Sequence, residues 1–248
     1  MRALRHKPRP RPHSEAVVSP KLDRKQAAEL ITEGKGHIHA TALGQNDACV
    51  RATKERLESK TAQYPWVPEK PQVSIRIRES SERCGAIQSI IESLFSAERT
   101  SVKENVRLIM EELTSNAMYH SIREETGKDS YRRTRSVSLK ENEAIELQCH
   151  RSTEGAYLSV TDWGDNLTLQ DVGRCLKRCY KERGTNQIES KESGAGLGFF
   201  MIFENVTHLE ITVAKKVSTT ISVWLPITGA SDPSYFSFNF WGGTNATK

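Results

Sequence analysis

The chain is poor in long apolar runs, in aromatics and in cysteine, and each shortage excludes something. No hydrophobic run approaches the roughly 20 residues that a membrane-crossing helix needs. The densest stretch, Gly198 to Phe203, is far shorter, so a helical membrane protein is excluded. Aromatic residues make up only 7% of the 248, and mean hydropathy is −0.58. Hydrophobic residues still reach 36%, which predicts a soluble chain with one substantial core. Cysteines number five, few and odd, so a disulfide framework is not expected and a reducing cytoplasm is. Pro8, Pro10 and Pro12 stand where a secretory leader would carry its apolar segment, so no leader is predicted.

Excess charge is also missing from most of the chain. The net charge is +5, but residues 1–25 alone hold eight basic against two acidic residues, a net of +6. The remaining residues hold 28 basic and 29 acidic groups and are nearly neutral. The high isoelectric point therefore belongs to the N-terminal tail, and a basic nucleic-acid-binding body is not implied.

What is present divides the chain into four parts. Residues 1–20, rich in Arg, Pro and His, read as a disordered basic tail. Residues 21–71 read as a weakly helical extension with a proline linker. Ala27, Leu30 and Ile31 form one sparse apolar face and Val50, Leu57 and Ala62 another; Gly34, Gly36 and Gly44 interrupt them, and Pro65, Pro68 and Pro71 follow. This segment has too few large apolar residues for its own core; it is expected to pack on the main domain, pair with a partner or stay mobile. Residues 72–226 carry the sharp patterns. Residues 227–248 form an aromatic C-terminal tail (Tyr235, Phe236, Phe238, Phe240, Trp241), expected to dock on the domain or on a partner.

Within 72–226, Val73, Ile75 and Ile77 alternate as in a half-buried strand. Helical spacing links Cys84, Ile87, Ile91, Leu94 and Phe95, then Val102, Val106, Ile109, Leu113 and Ala117. A charged loop is expected over 123–135, and short strands over 136–140, 144–150 and 156–162. Leu169, Val172, Leu176 and Cys179 fit a further helix, 182–195 a mobile polar loop, 197–206 a short apolar helix, and 207–214 and 217–225 two final strands. Strands and helices do not alternate strictly. That order predicts an α+β two-layer sandwich with a mixed, mostly antiparallel sheet and helices on one face.

Three clusters carry chemistry. On a helix, Glu112, Asn116 and His120 step by four along one edge, flanking the apolar stripe. A carboxylate there can serve as general base, and a carboxamide oxygen suits Mg²⁺. Alone, the same residues also describe the polar border of an amphipathic helix. In the second cluster a strand runs into Asp162-Trp163-Gly164-Asp165-Asn166. An acceptor at a strand end can take a hydrogen bond from an exocyclic amine, and Gly164 lets a ring approach the backbone; the plainer alternative is a strand-ending Asp-Gly turn. The third, Gly194-Ala195-Gly196-Leu197-Gly198, opens a helix and bares backbone N–H groups for phosphate. No Gly-Lys-Ser/Thr follows it, and it comes late in the chain after a polar loop, so neither a Walker loop nor a dinucleotide fingerprint fits. Cys175 and Cys179 lie four apart, but Cys149 and His150 are adjacent on a strand and point to opposite faces, so reduced thiols are preferred to a zinc site.

Taken together, the three clusters resemble the boxes of the GHKL superfamily of ATP-binding domains, in which E-x-x-x-N-A-x-x-H precedes D-x-G-x-G, a mobile lid and G-x-G-x-G. Glu112, Asn116, Ala117 and His120, then Asp162 and Gly164, then Gly194, Gly196 and Gly198 match in order, over about residues 72–226. Thr219-Thr220 resembles the threonine that supports the adenine pocket, with Thr220 taken as the site residue. The resemblance implies the Bergerat ATP-binding fold, with ATP and Mg²⁺ as cofactors. Glu112 would be the general base and Asn116 the Mg²⁺ ligand, with His120 beside them. Asp162 would bind the adenine amino group and Gly164 line the pocket. Gly194, Gly196, Leu197 and Gly198 would hold the phosphates under the lid at 182–195. Asn166 stands where the second glycine of the middle box is usual; asparagine tolerates left-handed backbone angles better than most residues.

Size narrows the type. Little chain follows Pro226, too little for a gyrase-like or MutL-like transducer domain, and His37 and His39 lack a phosphoacceptor context. The compact form most resembles the anti-sigma-factor serine/threonine kinases, which bind a sigma factor and phosphorylate a STAS-domain antagonist. The expectation is a cytoplasmic regulatory kinase with a protein partner and a homodimer as an option, without membrane or direct nucleic-acid binding. A non-catalytic nucleotide-gated binding module and a histidine-kinase-like phosphotransfer subunit are the alternatives.

Overall fold

The computed structural model describes residues 15–59, 62–120, 136–164, 167–181, 197–227 and 235–242. The expected charged loop and lid lie outside these residues, as do Asn166, Gly194, Gly196 and the side chain of His120. The first half runs β1 (Val17–Val18), α1 (Arg24–Thr32), β2 (His37–Ala40), α2 (Ala48–Ser59), β3 (Val73–Ile77), α3 (Glu82–Leu94) and α4 (Thr100–His120). The second runs β4 (Ile145–Arg151), β5 (Gly155–Asp162), α5 (Leu169–Lys181), α6 (Leu197–Asn205), β6 (His208–Ala214), β7 (Ser218–Pro226) and β8 (Phe236–Gly242).

The strands form one open sheet in the order β1-β2-β8-β6-β7-β5-β4-β3. The β1–β2 and β6–β8 pairs are parallel and the others antiparallel, which makes the fold α+β with a mixed sheet. Among the described residues, no helix is long and apolar enough to cross a membrane.

Strand alternation builds the core. In register across β5, β7 and β6, Leu158 faces Val223 and Leu209, and Val160 faces Ile221 and Ile211. These side chains are buried in one cluster with the α4 stripe of Val102, Val106, Ile109, Leu113 and Ala117. Ala27, Ile31, Ile87, Val172, Leu176, Ile202 and Phe203, from α1, α3, α5 and α6, complete it. Each fully buried large apolar side chain contributes about 1.5–3 kcal/mol.

Both flanking segments enter this sheet. The aromatic tail becomes β8, in which Phe236, Phe238 and Phe240 alternate into the core while the strand pairs with β6 and β2. The extension supplies β2, and Val17–Val18, expected within the unstructured tail, pairs with it. Residues 136–140 depart from expectation in the other direction. They make only an isolated bridge, Ser138 to Glu79, before a 3-10 turn at Glu141–Glu143.

The expectation of helices on one face is also corrected. α2 covers part of the opposite face. Thr53 on α2 bonds to His39 Nε2 at 3.0 Å and to Asn239 Oδ1 at 3.2 Å, and Arg56 pairs with Glu210 at 2.7 Å. The physical reason is the second, smaller apolar cluster there, in which Cys49 and Ala52 of α2 meet Tyr64, Trp66 and Tyr157. Trp66 stacks on His208 with ring centroids 5.2 Å apart. The histidines beneath α2 are held neutral: burial lowers His39 to about 4 and His208 to about 3.

Candidate functional site

α4 carries Glu112 and Asn116 because its apolar stripe must face the sheet. A residue one position before Leu113, and its neighbour one turn on, then fall at the border of the buried face. Both are half-buried. α4 packs against β5 and against α6. The approach to α6 is close: a Cβ on Gly198 would stand 1.7 Å from Glu112 Oε2 and 2.4 Å from its Cδ. Only a residue without a side chain leaves the carboxylate there, at the N-terminal end of α6, where backbone N–H groups lack partners within the helix. The helix dipole favours a negative charge at that end.

β5 delivers the second group. Asp162 closes the strand on the core side of the sheet and is buried. Its Oδ1 accepts a 2.7 Å bond from the Gly164 N–H, so the carboxyl folds back over its own turn. Thr219, the register partner of Asp162 on β7, donates to the Gly164 carbonyl at 2.7 Å. Burial pushes the Asp162 carboxyl up to about 7, the Gly164 bond opposing it. A carboxyl with that affinity is poised between an acceptor-only form and one that donates. Trp163, on the other side of the chain, is half-exposed and donates its Nε1–H to the Ala144 carbonyl at 2.7 Å.

The structure thus brings Asp162, Gly164 and Thr219 together at the end of β5, and Glu112 to Gly198 on the neighbouring α4 and α6. Leu197 opens α6 and is largely exposed. Thr220 is not part of this arrangement. Strand alternation turns it to the opposite face, where its hydroxyl meets Thr161 Oγ1 at 2.9 Å. Sequence reasoning selected Thr220, whereas the member of the pair that reaches Gly164 is Thr219; the signal that separates them is parity. Thr219 shares its face with Ile221, Val223 and Leu225, the buried apolar residues of its own strand.

Comparison with protein-family models and with curated proteins found no match to this chain.

Proposed function

We propose that this chain is an ATP- and Mg²⁺-dependent serine/threonine protein kinase with a Bergerat-type site, of the anti-sigma-factor type. Its partner would be a sigma-factor-like or STAS-domain protein. The observation that carries this reading is the pairing of two constellations on contacting elements. One is a carboxylate pressed onto a glycine at a helix start (Glu112, Gly198), and the other a buried carboxyl braced by its own glycine turn and a threonine (Asp162, Gly164, Thr219).

The donor set fits the groups it would hold. Asp162 Oδ2 suits the exocyclic amine of adenine, since Oδ1 is already occupied by the Gly164 N–H and a second acceptor remains. Gly164 keeps the neighbouring backbone free of a side chain where a flat ring would lie. The first N–H groups of α6 suit phosphate oxygens. Asn116 offers a half-buried carboxamide oxygen one turn from Glu112, a hard donor appropriate to Mg²⁺. Bound Mg²⁺ supplies positive charge that offsets charge on the phosphate oxygens. Glu112 would accept the proton of the substrate hydroxyl as that oxygen forms a bond to the γ-phosphorus of ATP and the bond from that phosphorus to the β-phosphate oxygen breaks, with ADP leaving.

Calorimetry and phosphotransfer test this together. Wild-type protein should bind ATP in the presence of Mg²⁺. Glu112→Gln, nearly isosteric, should retain ATP and lose phosphotransfer by about 10²–10⁴-fold. Absence of ATP binding by the wild type would refute the nucleotide site. Wild-type transfer rates in Glu112→Gln would refute the role of the base, and ATP binding without any transfer would favour the nucleotide-gated binding module.

A further inference from the structure

We propose that Arg24 on α1 is a positioning residue for the nucleotide site: it grips the C-terminal end of α6 and so sets where the other end of that helix stands against Glu112. The proposal rests on the ATP-site reading above, and neither the three sequence boxes nor their spacing points to Arg24.

The start of α1 is itself firmly placed. Asp23 caps it, accepting from Gln26 N at 2.7 Å, while the Gln26 side chain accepts from Asp23 N at 3.0 Å. Ala27, Ala28 and Ile31 anchor the helix in the main core. Its far end lies tight on α5: Thr32 Oγ1 donates to the Gly173 carbonyl at 3.2 Å, and a Cβ on Gly173 would stand 2.9 Å from Thr32 Cα.

From this platform the Arg24 guanidinium spreads over the end of α6. One nitrogen donates to the Phe203 carbonyl, and the other to the Val206 carbonyl at 2.5 Å. The last carbonyls of a helix lack partners within it, and a cation there also complements the helix dipole. The guanidinium lies 3.9 Å from the centroid of the Phe236 ring on β8. It is thus held by stacking on one side while its planar fork reaches two carbonyls, a geometry that lysine does not reproduce. Desolvation lowers the Arg24 pKa to about 10, which leaves it charged at neutral pH. Tyr180 at the end of α5 adds a second tie by donating its hydroxyl to Glu204 of α6.

α6 has nine residues, a stiff rod about 13 Å long at 1.5 Å per residue. A rod pinned at its C-terminal end cannot slide or tilt freely at its N-terminal end. That end is where Gly198 meets the Glu112 carboxylate so closely that a methyl group would displace it. The N-terminal extension therefore acts on the phosphate end of the site through α6, without touching a ligand, whereas the adenine end at Asp162 is built by β5 and β7 and does not depend on Arg24.

The test uses the full chain with Arg24→Met, Arg24→Lys and, as a control that removes an arginine contact away from α6, Arg151→Met. The control breaks the ion pair with Glu98 toward the other edge of the sheet. Amide hydrogen exchange of residues 197–205 and calorimetric affinities for Mg-ATP and for adenosine are measured. In Arg24→Met, α6 amides should exchange about tenfold faster or more, and ATP affinity should fall by about tenfold or more, with adenosine affinity unchanged. Arg24→Lys should fall between, and Arg151→Met should move none of the three. Should Arg24→Met not fold, Arg24→Lys carries the comparison. Unchanged α6 exchange in both Arg24 variants, or equal losses of ATP and adenosine affinity shared by Arg151→Met, would overturn the proposal. A wild-type protein that binds no ATP refutes the nucleotide reading instead, and α6 exchange alone then decides whether Arg24 holds the helix.

Discussion

Gly198→Ala is the sharpest probe of the site, because its structural and functional effects separate. The backbone at Gly198 is helical, so alanine suits it and brings at most about 1 kcal/mol of helix propensity. The added methyl group, however, would lie 1.7 Å from Glu112 Oε2. To reach an ordinary contact of 3.4 Å, the carboxylate must retreat by about 1.7 Å. The obstructed atoms are the far end of a flexible side chain, so the retreat costs about 0.5–1.5 kcal/mol of rotamer strain. Gain and cost nearly cancel, and Tm should move by no more than about 2–4 °C. Function should not be spared: moving a reacting group by about 1 Å can cost 10²-fold in rate. ATP turnover, measured as ADP formed with Mg²⁺ present, should therefore fall by about 10²-fold while the fold survives. Removing the obstructed group as well, in Gly198→Ala with Glu112→Ala, should return Tm to that of Glu112→Ala or above it. Wild-type turnover in Gly198→Ala would refute the claim that the position of the Glu112 carboxylate matters. A large loss of Tm that Glu112→Ala does not relieve would refute the account of the contact itself.

Three further outcomes follow from the proposal that the Asp162 end of the site holds adenine. Asp162→Asn should weaken ATP binding by about 10–100-fold, the worth of a charge-assisted hydrogen bond, as read by calorimetry. The same bond has a pH dependence. Burial raises the Asp162 pKa to about 7, so the acceptor-only carboxylate predominates above that value and is lost as pH falls below it. ATP affinity should decline between pH 8 and pH 6 by about tenfold per unit once below the pKa, and Asp162→Asn should flatten the profile; a wild-type profile equally flat would show that ionised Asp162 is not the acceptor. Thr219→Val should weaken ATP binding by about five- to tenfold by releasing the Gly164 carbonyl, while Thr220→Val on the other face should leave it unchanged; the reverse pattern would show that the two hydroxyls were assigned to the wrong faces.

Much of the fold between residues 72 and 226 was legible in the chain, because its signals are local. Val73, Ile75 and Ile77 alternate, and the α4 stripe repeats at helical spacing, and both patterns state which side is buried without reference to distant residues. That stripe also placed Glu112 and Asn116 at the border of the buried face, where the structure has them. The Asp162 turn was equally readable, since a strand meeting Asp-x-Gly ends there for reasons contained in those residues.

The tertiary structure decided the rest, wherever a residue's role depends on a partner far along the chain. His37–Ala40 is too short to announce itself as a strand, and it becomes one because Phe236–Asn239, about two hundred residues later, supplies its hydrogen bonds. The aromatic tail looked like an appendage because its partner, β6, is joined to it in parallel, a pairing that no hairpin turn marks in the sequence. α2 reads as a weak amphipathic helix, and only the second aromatic cluster formed by Tyr64, Trp66 and Tyr157 gives it a face to cover. The choice of Thr219 over Thr220 needed strand parity relative to a core assembled from three strands. The contacts of Gly198 with Glu112 and of Arg24 with α6 are invisible in the chain for the same reason. Periodicity tells which way a side chain points, but what it meets there is set by how separate elements pack.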